Sequence, residues 1–252
     1  MIIERVPIAD CRYYSIDDGS GIKYYPSVTT ILGKTGDNSW IKEWHARIGK
    51  DKADAISTFS ANRGTCMHLY NENYIRLRDE KHDPQNILKH TIEISNKELM
   101  SQFTVEEINV GKNLFFNFYN SKAFNKIKRP IIQETYLYSE LGGGYAGTVD
   151  LIYEDEFGNH IVADFKSSKK PKDIKDIISY KKQLSAYFIA YYQRTGNIPH
   201  SAEIWISNEY DFTPQIIKLD YETIKVYFKL FIEDVRKFHN MYDPVLKEFL
   251  QQ

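Results

Sequence analysis

Cysteine is scarce in this chain: there are two in 252 residues, Cys11 and Cys66. Two thiols cannot build a disulfide framework. They also cannot supply the four ligands of an iron–sulfur cluster from this chain alone, so no such cluster is expected. Cys66 lies two residues before His68, but a buried, reduced cysteine is a simpler role for it than metal ligation. Long apolar runs are missing as well. None approaches the ~18 residues of a membrane-spanning helix. The opening MIIERVPIADCR has the features of neither a signal peptide nor an acid-poor transit peptide, so a cytoplasmic protein with no membrane association is expected. No G-x-x-x-x-G-K-S/T pattern occurs, and glycines 142–144 have no helix directly after them to aim at a phosphate; they read as a turn. Nor is there a surplus of one charge: 33 Lys and Arg stand against 34 Asp and Glu, a formal net charge of −1.

What is present suits a globular core. Hydrophobic residues make up 42% and charged residues 27%, ordinary values for a folded domain, and 252 residues suffice for one large domain. No repeat, low-complexity tract or long linker divides the chain. Residues 1–25 read as extended, and Ser27 as the cap of a short helix through Leu32. The stretch from Trp40 to about Arg78 reads as mostly helical, interrupted near Gly64, and is followed by a loop containing Pro84. Thr104 and Glu107 form a capping-box pattern opening a helix to about Tyr119, with Leu114, Phe115, Phe118 and Tyr119 as its apolar stripe. Strands are predicted at about 131–138, 146–153 and 160–166, then a helix at 175–194, strands at 202–207 and 215–220, and a final helix from Glu222 to Asn240. This order predicts an α/β fold in a single domain. Within it, 1–129 form a mainly helical N-terminal layer, 130–220 a sheet and helix, and 221–252 a C-terminal helix.

One stretch carries chemistry. GTVDLIY at 147–153 and HIVADFKSS at 160–168 are β-rich segments joined by a short acidic turn at 154–159. Residues i and i+2 on a strand share a face, so Asp164 and Lys166 project together while Ala163 and Phe165 face away. A hairpin brings Asp150 beside them. The bland alternative is a surface salt bridge, but Ile161, Val162, Ala163 and Phe165 make the second segment nearly all apolar, as in a strand covered on both faces. Charges at the end of such a strand are costly unless paired or holding a metal. Two carboxylates and a lysine suit a divalent cation and an attacking water, and hence phosphodiester cleavage. A glycosidase reading of the paired acids leaves Lys166 unexplained.

These residues resemble the motif of the PD-(D/E)XK nuclease superfamily, in its RecB-like branch: Asp150 stands at the first acid, Asp164 at the second and Lys166 at the lysine. Val149 occupies the place of the family's proline, which is not a ligand. Further elements follow the branch pattern in order. RGTCMH (63–68) resembles its G-x-x-H motif, QETYLY (133–138) its strand with an upstream glutamate, and QLSAY (183–187) its Q-x-x-x-Y helix. PSVTTIL (26–32) is similar to a segment of phage-type and mitochondrial genome maintenance exonucleases. The resemblance implies a restriction-endonuclease-like mixed sheet flanked by helices. It also implies one or two Mg²⁺ or Mn²⁺ ions held by His68, Asp150, Asp164 and the main-chain carbonyl of Phe165 (or that of Ala163). Catalysis would fall to Asp150, Asp164, Lys166, Glu134 and Gln183. Glu134 would bind a second metal or orient the first, and Lys166 would position or deprotonate the attacking water. Some members of the branch carry an iron–sulfur cluster; two cysteines exclude it here.

Nucleic-acid contacts are expected from Arg63 and Tyr187, and from the lysine-rich stretch 166–182 with Lys169, Lys170 and Lys182. A second basic cluster at Lys122, Lys126, Lys128 and Arg129 leads into the strand of Glu134. Tyr187 shares a helix face with Gln183 and Tyr180, either stacking on a base or packing as a core aromatic. Trp40, Trp44, Phe59, Tyr70 and Tyr74 are further candidates for stacking, most of them also candidates for core. The combined expectation is a metal-dependent DNA exonuclease acting on single-stranded ends in replication, recombination or repair, in a bacterial or phage-infected cell, with a possible replication or recombination partner. The alternatives are an endonuclease, a duplex-resecting exonuclease, or a non-catalytic DNA-binding subunit of a helicase or recombinase complex.

Overall fold

A computed structural model describes residues 2–17, 19, 21–80 and 82–251. Its centre is a five-stranded sheet of order β4-β5-β6-β7-β8, built from β4 (Arg129–Ser139), β5 (Tyr145–Glu154), β6 (His160–Ser168), β7 (Ser201–Asn208) and β8 (Gln215–Leu219). The β4–β5, β5–β6 and β7–β8 pairs are antiparallel, and β6–β7 is parallel. A parallel pair needs a crossover, which α6 (Ile178–Thr195) supplies. This is the mixed α/β architecture, sheet flanked by helices, that the resemblance implies.

Alternation along β6 assigns its two faces. Val162 packs with Leu184 and Phe188 of α6 and with Phe231 of α7 (Tyr221–Leu250). Ala163 and Phe165 pack on the other side with Phe115 and Phe118 of α5 (Val105–Asn120) and with Trp205. Asp164 and Lys166 therefore leave the strand on the α6 side. The α5 side is completed by α3 (Lys50–Asp79) and α4 (Pro84–Leu99), and the α6 side by α1 (Val28–Thr35). Among the described residues no helix is long and apolar enough to cross a membrane.

The predicted elements are mostly found, with instructive differences. The extended residues 1–25 are organised as an antiparallel meander of β1 (Ile2–Ile8), β2 (Cys11–Asp17) and β3 (Ile22–Pro26), so the N-terminal layer begins with a small sheet. The helical stretch is not broken at Gly64, which lies inside α3. It breaks at Gly49, whose φ of 86° separates α2 (Ser39–Ile48) from α3. Gly64 answers a packing need: a Cβ there would stand 3.0 Å from Ser167 Oγ. Pro84 opens α4 instead of lying in a loop. It occupies the first turn, where its missing N–H costs nothing, and the Asp83 side chain caps the helix by accepting from Gln85 N at 3.1 Å. The Thr104–Glu107 capping box forms as expected.

Candidate active site

The site forms where β5 and β6 part. Their ladder runs from Glu154↔His160 to Leu151↔Ala163, whereas β6 stays paired with β7 as far as Ser168↔Asn208. At the fork the Phe165 N–H, which would otherwise lack a strand partner, donates to Asp150 Oδ2 at 2.7 Å. A side-chain oxygen thus replaces the missing backbone acceptor. On a strand a residue's N–H and C=O leave by the same edge, so the Phe165 carbonyl is directed to the Asp150 side.

Asp164 is 2% exposed. Its Oδ2 accepts from Lys166 Nζ at 2.5 Å and its Oδ1 from Gln183 Nε2 at 3.0 Å. Burial outweighs the Lys166 charge and pushes its carboxyl up to about 6. Burial works to lower the Lys166 pKa, but Asp164 and Asp150 outweigh it and hold the amine above the ordinary lysine value, so Lys166 is an ammonium. It sits over the Tyr180 ring at 5.3 Å. Gln183 also donates to the Tyr187 hydroxyl at 3.3 Å. The Tyr187 ring is buried against Gly147, where a Cβ would approach it to 2.7 Å. Tyr187 is therefore a core aromatic with its hydroxyl at the cleft, and its ring has no face free for a base.

Opposite this pair stand His68 of α3, Glu134 of β4 and Asp150. His68 Nδ1 lies 3.5 Å from Asp150 Oδ2 and 4.0 Å from Glu134 Oε1, and one donor atom from each of the three falls within 4.8 Å of the others. Glu134 has φ 43°, the left-handed region that costs a non-glycine residue about 1–3 kcal/mol and concentrates at functional sites. Burial, then the charges of Asp150, Glu72 and Asp164, push its carboxyl up to about 8, although 34% of the side chain reaches solvent. Glu134 and Asp150 set two carboxylates beside one imidazole, a concentration of negative charge that a bound cation offsets, and carboxylate with imidazole is a donor set suited to Mn²⁺ or Mg²⁺. These residues fit a divalent ion. Asp164, expected among the ligands, lies outside this three-residue group; Lys166 and Gln183 each donate to one of its oxygens, and each oxygen keeps a second lone pair.

A cleft of about 710 Å³ surrounds these groups, lined among others by Ser60, Gly64, His68 and Glu72 of α3, by Glu134, Asp150 and Lys166, and by Arg5, Arg12 and Thr29. The cations predicted for nucleic acid are largely elsewhere. Arg63 is buried, ion-paired with Glu209 and outside the cleft lining. Lys182 is turned to Asp234 of α7 at 2.7 Å. Lys169 and Lys170 are exposed just past β6 and do not line the cleft. Lys126 pairs with Glu203, and Lys128 and Arg129 with Glu154 at the far end of β4. Tyr70 is core, whereas Trp40 is 60% exposed beside Trp44 on α2. Sequence reasoning missed Arg5 and Arg12. Only the β1–β2 register, pairing Arg5 with Tyr14 two residues beyond Arg12, places them on the cleft.

A family model described as PD-(D/E)XK nuclease superfamily matches residues 40–245. No curated protein matches the chain in sequence. Among solved structures, a presumed exonuclease from Eubacterium rectale is similar at 14% identity and a TM-score of 0.42, over 60% of this chain and 64% of its own. The chain thus spans less than two thirds of that protein. The structure of SSO0001 is similar at 14% identity and a TM-score of 0.34, over 68% of this chain and 72% of its own.

Proposed function

The chain belongs to the PD-(D/E)XK nuclease superfamily, and from that premise we propose that it is a metal-dependent exonuclease hydrolysing phosphodiester bonds at single-stranded DNA ends, in replication, recombination or repair. One observation carries the reading: the His68–Glu134–Asp150 donor group faces the Asp164–Lys166 pair across the β5–β6 fork.

His68, Glu134 and Asp150, with the Phe165 carbonyl, would hold Mg²⁺ or Mn²⁺. When bound, such an ion supplies Lewis acidity toward the phosphate and its attacking water. Lys166 offsets the negative charge that gathers on the phosphoryl oxygens as the water oxygen bonds to phosphorus and the bridging ester oxygen leaves. As an ammonium it positions the water, and the proton that the water sheds on attack ends on the departing ester oxygen, by way of solvent, to give a hydroxyl and a phosphate. Asp164 fixes Lys166, Gln183 fixes Asp164, and Tyr187 fixes Gln183, so the chain of hydrogen bonds presents one rotamer of the lysine. The cleft is walled by α3 on one side and by the N-terminal sheet on the other, and a single strand is the substrate proposed for it. Exposed Trp40 offers a stacking platform for unpaired bases.

The test is digestion of end-labelled linear single strands, duplexes and circular single strands with Mg²⁺, Mn²⁺ or EDTA, beside Lys166→Ala. Metal-dependent loss of linear strands, absent for circles and in the variant, is expected. Equal cutting of circles overturns the exonuclease reading, and binding without cleavage under every metal overturns the catalytic one.

A further inference from the structure

Resting on that reading, we propose that Arg5 and Arg12 form a phosphate-binding subsite on the N-terminal wall of the cleft, which takes a backbone phosphate flanking the scissile one. The two arginines share a face of the small sheet. Arg5 pairs in register with Tyr14 on the neighbouring strand, and Arg12 lies two residues before Tyr14, so the two are diagonal cross-strand neighbours, about 7–8 Å apart. Both line the cleft, as does Tyr14.

Charge makes the case. Glu72, Glu134 and Asp150 line the same cleft, a field that repels a polyanion. Lys166 is engaged by Asp164. Arg5 and Arg12 form no ion pair among the described residues, although the Arg5 charge reaches Glu134; each is held by a hydroxyl instead. Arg5 Nη2 donates to Thr148 Oγ1 at 2.9 Å and its guanidinium lies 5.8 Å from the Tyr136 ring centre, while Arg12 Nη2 donates to Thr29 Oγ1 at 2.5 Å. Those hydroxyls are themselves placed, Thr148 beside the Tyr14 hydroxyl at 3.3 Å and Thr29 beside Ser27 Oγ at 3.2 Å. A guanidinium has five N–H donors, so one hydroxyl contact fixes its direction and leaves a fork for phosphate oxygens.

Position sets which phosphate. Thr148, which holds Arg5, is two residues before Asp150 on β5, about 7 Å along the strand. That spacing is about one nucleotide step, which assigns the arginines to the neighbouring phosphate, although the Arg5 charge also reaches Glu134. Both arginines precede residue 40, where the family match begins.

The experiment compares wild type with Arg5→Ala, Arg12→Ala, the double variant and Arg12→Lys, each checked by thermal melting. Binding of a labelled single strand is read first, in EDTA, across a salt series. Each alanine variant should bind about tenfold more weakly, with a salt slope shallower by about 0.7, and Arg12→Lys should recover part of the loss. Cleavage then uses strands carrying one neutral methylphosphonate at successive positions. Wild type should slow at one linkage beside the cut, and the double variant should show no further slowing there, its defect lying in KM more than in kcat. An unchanged salt slope and an unchanged methylphosphonate profile in the double variant overturn the subsite, as does a loss confined to kcat. A wild-type protein that binds through both arginines yet cuts nothing overturns the nuclease reading and leaves the subsite standing.

Discussion

Asp150 and Phe165 are joined across the fork by the 2.7 Å hydrogen bond from the Phe165 N–H to Asp150 Oδ2, so one carboxylate both closes the end of a ladder and faces the metal donors. The two duties separate by substitution. Asp150→Asn keeps an oxygen for the Phe165 amide and loses a charge; Asp150→Ala loses both. Turnover is expected to fall by orders of magnitude in each. Only the alanine variant should lose stability, by about 1–3 kcal/mol for the unsatisfied N–H. Urea melts beside single-turnover cleavage check this, and equal destabilisation of the two variants would contradict it.

Without metal, stability should fall with rising pH. Glu134 has a folded pKa of about 8 and Asp164 of about 6, against ordinary values of 4.5 and 3.8. Both are raised, so the folded state binds more protons than the unfolded one between about pH 4 and pH 8. Their contribution is fully present below pH 4 and is lost as pH climbs through 6 and 8. For Glu134 the effect is only ~1 kcal/mol, because a third of the side chain is solvated, or about 2–4 °C in Tm. Metal-free Glu134→Gln should therefore melt higher than wild type at pH 9 and equally at pH 4. Saturating Mn²⁺ should raise wild type and leave the variant nearly unmoved. Differential scanning calorimetry of EDTA-treated and Mn²⁺-loaded protein reads both.

The β5–β6 hairpin was legible because its signals are local. Two apolar runs, an acidic turn and a period of two place Asp150, Asp164 and Lys166 without tertiary knowledge, and the Thr104–Glu107 box marks a helix start for the same reason. The misses share a cause in partners distant in sequence. Gly64 reads as a helix breaker until Ser167 is seen 3.0 Å from its absent Cβ. Lys182 looks like a free cation until Asp234 is placed 52 residues on. The Gln183 amide that donates to Asp164 lies 19 residues on, so the spacing of the hairpin does not reveal that bond. Arg5 and Arg12 carry no local motif; pairing of β1 with β2 and the docking of that sheet on β5 give them their position.

Lys182 separates a structural cation from a binding one. Its pairing with Asp234 at 2.7 Å, with side chains 20% and 17% exposed, clamps α6 to α7. Lys182→Ala is expected to cost ~1–2 kcal/mol, with Asp234→Ala similar and the double variant less than additive. The salt dependence of single-strand binding should not change, in contrast to Arg12→Ala. A shallower salt slope in Lys182→Ala would return it to the nucleic-acid interface.

Gly147 ties the buried helix to the chemistry. A Cβ there would lie 2.7 Å from the Tyr187 ring and 2.8 Å from its hydroxyl oxygen, inside any tolerable contact, so Gly147→Ala must displace Tyr187 or strand β5. Displacing Tyr187 loosens Gln183, which holds Asp164 Oδ1, and Lys166 then loses its fixed partner. Overpacking of this kind costs about 1–3 kcal/mol, and turnover should fall more than tenfold even at temperatures where the variant is fully folded. Tyr187→Leu in the same chain makes room. It should restore much of the stability but little of the rate, because the hydroxyl that orients Gln183 is gone. Were the double variant to regain full turnover, Tyr187 would be packing alone and the relay through Gln183 to Asp164 would carry no catalytic weight.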